Sequence, residues 1–138
     1  MILTKKGLDL PISGAPSADI DSSTTINTIA ILGPDYVGLK PTMLVKEGDT
    51  VSSGQKLFED KKNPGTYITS PSSGVVESIN RGEKRRFLSM TIDVDDSIEP
   101  TKFIATDYES PVKFLVDTGA LSYFKTRPYN RIPSKEDL

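Results

Sequence analysis

A chain of 138 residues with 17 basic and 19 acidic side chains, a net charge of −2 and 36% apolar residues can build one domain with a core, and its mixed charges form no basic stripe for nucleic acid. It contains no cysteine and no histidine. Disulfides, thiolate or imidazole metal sites, cysteine-held iron–sulfur clusters and histidine-based catalysis are excluded within the chain.

Ten glycines and ten prolines point to a turn-rich β protein rather than a helical bundle. No apolar run reaches the roughly 18–20 residues that span a bilayer. Lys5 and Lys6 are followed by Gly7, Asp9 and Pro11, which leaves no apolar region for a signal peptide. A soluble, cytoplasmic chain is the expectation.

In chain order, Met1–Thr4 reads as an edge strand, and Pro11, Gly14 and Pro16 break regular structure after it. Residues 26–32 read as a strand with Ile26, Ile29 and Ile31 facing the core, ended by Gly33-Pro34. Residues 45–51 are extended around a turn at Gly48-Asp49, and Ser52-Ser53-Gly54-Gln55 is a second turn. Residues 56–59 form a short strand, Asn63-Pro64-Gly65 a third turn, and residues 67–69 a strand stopped by Pro71. Another strand covers 74–79. A last one covers 87–94, with Leu88, Met90, Ile92 and Val94 on one side. Ser110-Pro111 has the N-cap and N1 chemistry of a helix start. That helix runs toward Phe124 with Val112, Leu115 and Val116 on a shared face and a break at Gly119. The tail from Arg127 reads as flexible. An apolar helix face with little chain after it suggests a piece of a longer protein.

The series Glu47-Gly48-Asp49-x-Val51-x-x-Gly54-Gln55-x-Leu57 resembles the first half of a biotinyl or lipoyl domain, and Ser70-Pro71-x-x-Gly74-Val75-Val76 its second half. The two halves would be related by a quasi-two-fold, each giving strands to both sheets, with Val51, Leu57, Ile68, Val76 and Ile79 inward. The expected fold is therefore mainly β. It has an N-terminal irregular extension with a strand over 1–40, a biotinyl/lipoyl-like barrel-sandwich hybrid over 41–97, and a short C-terminal helical segment and tail over 98–138.

Carrier domains hold their modified lysine at the hairpin tip between the halves, which here makes Lys61 or Lys62 the candidate. The methionines that flank a biotinyl lysine are absent, and only Asp60-Lys61 matches the acidic-Lys-Ala tip of a lipoyl domain. Unmodified, the loop Asp60, Lys61, Lys62, Asn63, Pro64 and Gly65 is the candidate partner-contact surface, because loops on rigid sandwiches carry recognition. Other features have weaker claims. The segment Gly7–Gly14 lacks the GK[ST] ending of a phosphate loop and reads as a structural turn. Asp93, Asp95 and Asp96 lack the remaining ligands of a calcium loop. The run Arg81–Arg86 could meet an anionic partner but reads as a solvated hairpin tip. Tyr36, Tyr67, Tyr123 and Tyr129 could stack on a flavin or quinone, against the commoner use of such residues in packing. No catalytic or metal residue stands out.

Several segments together look like one family: Lys5-Lys6-Gly7-Leu8-Asp9-Leu10-Pro11-Ile12-Ser13-Gly14, Gly38-Leu39-Lys40-Pro41-Thr42-Met43, Val45-Lys46-Glu47-Gly48-Asp49, Leu57-Phe58-Glu59-Asp60-Lys61-Lys62-Asn63-Pro64-Gly65, Ile79-Asn80-Arg81-Gly82 and Thr126-Arg127-Pro128-Tyr129. The chain resembles the N-terminal part of the A subunit of the bacterial sodium-translocating NADH:quinone oxidoreductase, a family whose members are several times longer. The resemblance implies a peripheral protein on the cytoplasmic side of the inner membrane, partnered by the other subunits. It implies a complex that uses FAD, FMN, riboflavin, an iron–sulfur cluster, ubiquinone and sodium, while this chain itself holds no cofactor. The role implied is assembly and docking near the quinone path. The rivals are a carrier modified on Lys61 or Lys62 and a direct quinone-binding unit.

Overall fold

A computed structural model describes residues 13–138. The expected strand at Met1–Thr4 and most of the Gly7–Gly14 segment lie outside the described residues.

Among the described residues, seven strands form two antiparallel sheets. β1 (Thr28–Leu32), β7 (Phe87–Val94), β6 (Gly74–Arg81) and β3 (Thr50–Val51) make the larger sheet in the order β1-β7-β6-β3. The smaller one orders β2 (Pro41–Met43), β4 (Lys56–Asp60) and β5 (Tyr67–Thr69) as β2-β4-β5. The first half of the sandwich supplies β2 and β4 to one sheet and β3 to the other, and the second half supplies β5 to one and β6 and β7 to the other. The interleaving expected of a barrel-sandwich hybrid is thus present. Gly48 and Gly54 sit at φ 86° and 85°, where a Cβ would be strained, and let the chain reverse between β2 and β4. The strand of the N-terminal extension is part of this body: β1 pairs with β7 from Thr28↔Asp93 to Leu32↔Ser89.

The core between the sheets comprises Ile31, Val51, Leu57, Phe58, Ile68, Val76, Phe87, Met90 and Ile92. Every inward residue expected from the two half-patterns is buried except Ile79, which packs partly buried against the cluster. Two expectations fail. Ile26 is 62% exposed, because it precedes β1, whose inward phase is carried by Ile29 and Ile31. Leu88 faces out and Phe87 faces in, because the register steps from Asn80↔Ser89 to Arg81↔Phe87 and leaves Leu88 as the extra residue of a bulge. A bulge at Leu57, between Lys56↔Thr69 and Phe58↔Ile68, turns both Leu57 and Phe58 inward. Simple alternation would have exposed one of them.

Helix α1 (Pro111–Asp117) begins at Ser110, whose hydroxyl accepts from the Lys113 N–H at 3.2 Å, with Pro111 in the first turn. It ends where expected, with Gly119 left-handed at φ 77°, and a 3-10 turn follows over Ala120–Tyr123. The helical segment lies against β5: a Cβ on Gly119 would come 2.6 Å from the Thr69 methyl, and Leu121 is fully buried. The tail expected to be loose packs back instead. Ile132 joins the periphery of the core, and Lys135–Asp137 forms a 3-10 turn closed by reciprocal Ser134–Asp137 hydrogen bonds.

Candidate functional site

The β4–β5 connection carries the candidate contact surface. β4 ends on Asp60, which is 9% exposed, and the chain turns through Lys61–Thr66 before entering β5. Asp60 organises the turn. One carboxylate oxygen accepts from the backbone N–H of Lys40 and of Lys62, each at 3.0 Å. Its own N–H donates to Thr66 and its carbonyl accepts from Asn63. The Lys61 N–H donates to the Lys40 carbonyl, and the Gly65 N–H to the Glu59 carboxylate at 2.8 Å. The tail adds a brace: the Asn63 side chain donates to the Pro133 carbonyl at 3.1 Å, and Gly65 lies against Val116 and Lys135. Lys61, Lys62 and Pro64 are left exposed on a backbone tied at both ends, with Asn63 and Gly65 half-buried. Both lysines occupy the hairpin tip, as expected.

Asp60→Ala removes the acceptor of two backbone N–H groups on different segments. A hydrogen bond to a charged group is worth about 1.5–3 kcal/mol, so the change should destabilise the fold by about 2–3 kcal/mol. A urea midpoint within experimental scatter of the wild type would refute this role.

Beside the loop, a cleft of about 210 Å³ opens between Tyr36–Leu39, Asp60–Asn63 and Arg131–Ile132. Tyr36 forms its inner edge, meeting Phe58 edge-on at 6.3 Å and carrying the Lys125 ammonium 5.0 Å from its ring centre. Burial pushes the Tyr36 phenol above its ordinary value, and Tyr123 and Asp35 add to the rise, so it stays protonated at neutral pH.

Comparison with known families settles what kind of domain presents this loop. Residues 2–95 match the family described as the NqrA N-terminal barrel-sandwich hybrid domain. The chain belongs to this family. The A subunit of the Na(+)-translocating NADH-quinone reductase from Actinobacillus pleuropneumoniae serotype 5b is 47% identical over 145 residues, covering 100% of this chain and 32% of that protein. Its counterpart from Photorhabdus laumondii is 48% identical, covering 97% of this chain and 32% of its own length. That of Haemophilus influenzae is 46% identical, with 99% and 32% covered. The chain therefore spans about a third of the length of the curated relatives it matches.

Within this NqrA-type domain the remaining candidates fall apart in space. Arg81–Arg86 caps the β6–β7 hairpin, exposed, with Lys84 and Arg85 at positive φ. The Asp95 carboxylate is taken by the Ser97 N–H at 2.9 Å and hydroxyl at 2.6 Å, which hold it below the usual range, while Asp93 accepts from Thr28 at 3.1 Å. No group of three or more metal-ligating acidic side chains forms among the described residues. The four tyrosines do not form one stack. Tyr67 lies under the Lys56 ammonium at 3.9 Å, Tyr123 and Tyr129 are exposed, and Tyr36 and Tyr123 share a cleft of about 220 Å³. No helix among the described residues is long and apolar enough to cross a membrane. What sequence reasoning missed is the convergence of Val37, Gly38, Lys62 and Arg131 on the cleft. No local pattern joins segments so far apart in the chain.

Proposed function

We propose that this chain is the N-terminal domain of an NqrA protein of the sodium-translocating NADH:quinone oxidoreductase, and that it serves assembly and docking with the other subunits at the cytoplasmic side of the inner membrane. The Asp60–Gly65 loop is its contact surface. The observation that carries this reading is the loop itself: Lys61, Lys62 and Pro64 stand exposed on a backbone pinned by Asp60, Glu59 and the tail. A preordered loop loses little conformational freedom on binding, which favours recognition.

The redox chemistry of such a complex belongs to its other parts in this reading. A chain without cysteine offers no thiolate to an iron–sulfur cluster. The cleft shared by Tyr36 and Tyr123, about 220 Å³, is smaller than the ~300–1,000 Å³ typical of small-molecule sites, which favours docking over quinone binding at that cleft.

The test uses the full-length NqrA protein in its complex. Reversing both charges, Lys61→Glu with Lys62→Glu, should lower the NqrA recovered with the purified complex about tenfold or more, as expected for like charges placed in a complementary interface. The thermal transition of the isolated variant should be unchanged. Lys84→Glu, on the β6–β7 hairpin outside the loop, is the control. Recovery of the double variant at wild-type level would remove the loop from the interface. Intact mass separates the carrier alternative: the unmodified mass is expected, and a lipoyl or biotinyl increment on Lys61 or Lys62 would make the domain a carrier.

A further inference from the structure

We propose that the cleft between Tyr36–Leu39, the β4–β5 loop and Arg131 is a binding site for a phosphoryl anion. Its side chains set two cations, Lys62 and Arg131, against one carboxylate, Asp60. Asp60 is already committed, since one oxygen accepts two backbone N–H bonds. Among the described residues the cations have no acidic partner. Among the described residues, ion pairs form only between Lys102 and Glu99 and between Lys113 and Glu109. The cleft therefore holds unneutralised positive charge in a chain whose net charge is −2.

A second, independent observation concerns the backbone. Val37 and Gly38, lining the cleft, are the exposed central pair of a turn closed by the Leu39 N–H on the Tyr36 carbonyl, and their own N–H groups donate to no acceptor among the described residues. Gly38 has φ 80°, and successive N–H groups leading into a left-handed residue form anion-binding concavities. Arg131 is delivered from the other side by a tight loop: its carbonyl accepts from Thr126 N–H at 2.7 Å and its N–H donates to the Thr126 hydroxyl at 3.3 Å. The Arg131 Nε lies 4.0 Å from where a Gly38 Cβ would stand, which brings the guanidinium against the free-donor turn. Guanidinium, ammonium and paired N–H groups are the set that recognises phosphate. At about 210 Å³ the cleft fits a phosphate or pyrophosphate group and not a large organic body.

The experiment is a titration of the 15N-labelled 138-residue chain with inorganic phosphate and pyrophosphate, read on the amide spectrum. Saturable shifts at Val37 and Gly38 are expected. Lys62→Gln and Arg131→Gln should each weaken binding about fivefold or more, the loss of one charge-assisted contact, while Lys84→Gln should leave it unchanged. The undisturbed remainder of each spectrum reports the fold, and the wild-type map with Lys62→Gln decides the matter if Arg131→Gln does not fold. Adenosine monophosphate and a short-chain phosphatidic acid run in parallel. Whichever binds most tightly, or free phosphate itself, identifies the source of the group. Absence of saturable shifts, shifts centred away from the cleft, or equal weakening by Lys84→Gln would overturn the proposal.

Discussion

Phe58→Ala should destabilise the domain by about 3–5 kcal/mol, the range for truncating a buried aromatic side chain without full collapse of the space it leaves. Phe58 is fully buried and stands where the two sheets meet, 5.2 Å from the Phe87 ring on β7 and 6.3 Å from Tyr36. Its neighbours are poorly placed to fill the gap. Leu57 is held inward by the bulge on the same strand, and Phe87 by the bulge opposite Arg81. The loss approaches the whole stability of an ordinary domain, about 5–15 kcal/mol. Tyr36 also loses its edge-on partner, so the wall of the cationic cleft should loosen with the core. Urea unfolding should show a much lower midpoint with an unchanged slope. A loss under about 1 kcal/mol would mean that the two sheets do not depend on this contact.

Phe58 also marks the limit of what the sequence makes legible. The turns at Gly48, Gly54 and Asn63-Pro64-Gly65 are readable because each residue type answers a local backbone need, and they delimit the strands with small error. The cap at Ser110-Pro111 and the break at Gly119 are readable for the same reason. Inside and outside are harder. A period of two assigns Met90 and Ile92 correctly, but it fails beyond any bulge, and nothing local reveals that Leu57 or Leu88 is the extra residue. Those shifts are decided by the partner strand. The Asp60–Gly65 loop is legible as a loop, since Pro64 and Gly65 announce it. Its brace is not: Asn63 bonds to Pro133 seventy residues on, a tertiary contact made by a tail whose polar composition reads as loose. The cleft is illegible for the same reason, as its donors come from residues 37–38, 62 and 131.

Gly74→Ala should cost about 3 kcal/mol or more, through a clash between backbones rather than a lost contact. Gly74 opens β6 at the crossing of three strands, opposite Val94 on β7 and Val51 on β3. A Cβ built there would stand 1.9 Å from the Asp93 carbonyl oxygen, 2.9 Å from its carbon and 3.0 Å from the Ile92 Cγ2. No side-chain rotation relieves contact with a carbonyl. β7 must move away, and the register Gly74↔Val94 and Val75↔Asp93 opens with it. The movement also pulls on β1, since the Val94 N–H donates to the Asn27 carbonyl on the far side of β7. Gly48→Ala is the informative comparison. That position has φ 86° but nothing within 4 Å, so only the conformational penalty of about 1 kcal/mol applies. Equal urea midpoints for the two variants would show that β7 yields freely at Asp93. A clearly lower midpoint for Gly74→Ala shows that the glycine in the Ser-Pro-x-x-Gly turn is required by the closeness of β7, so this half of the carrier-like signature records strand packing and carries no information about modification at Lys61 or Lys62.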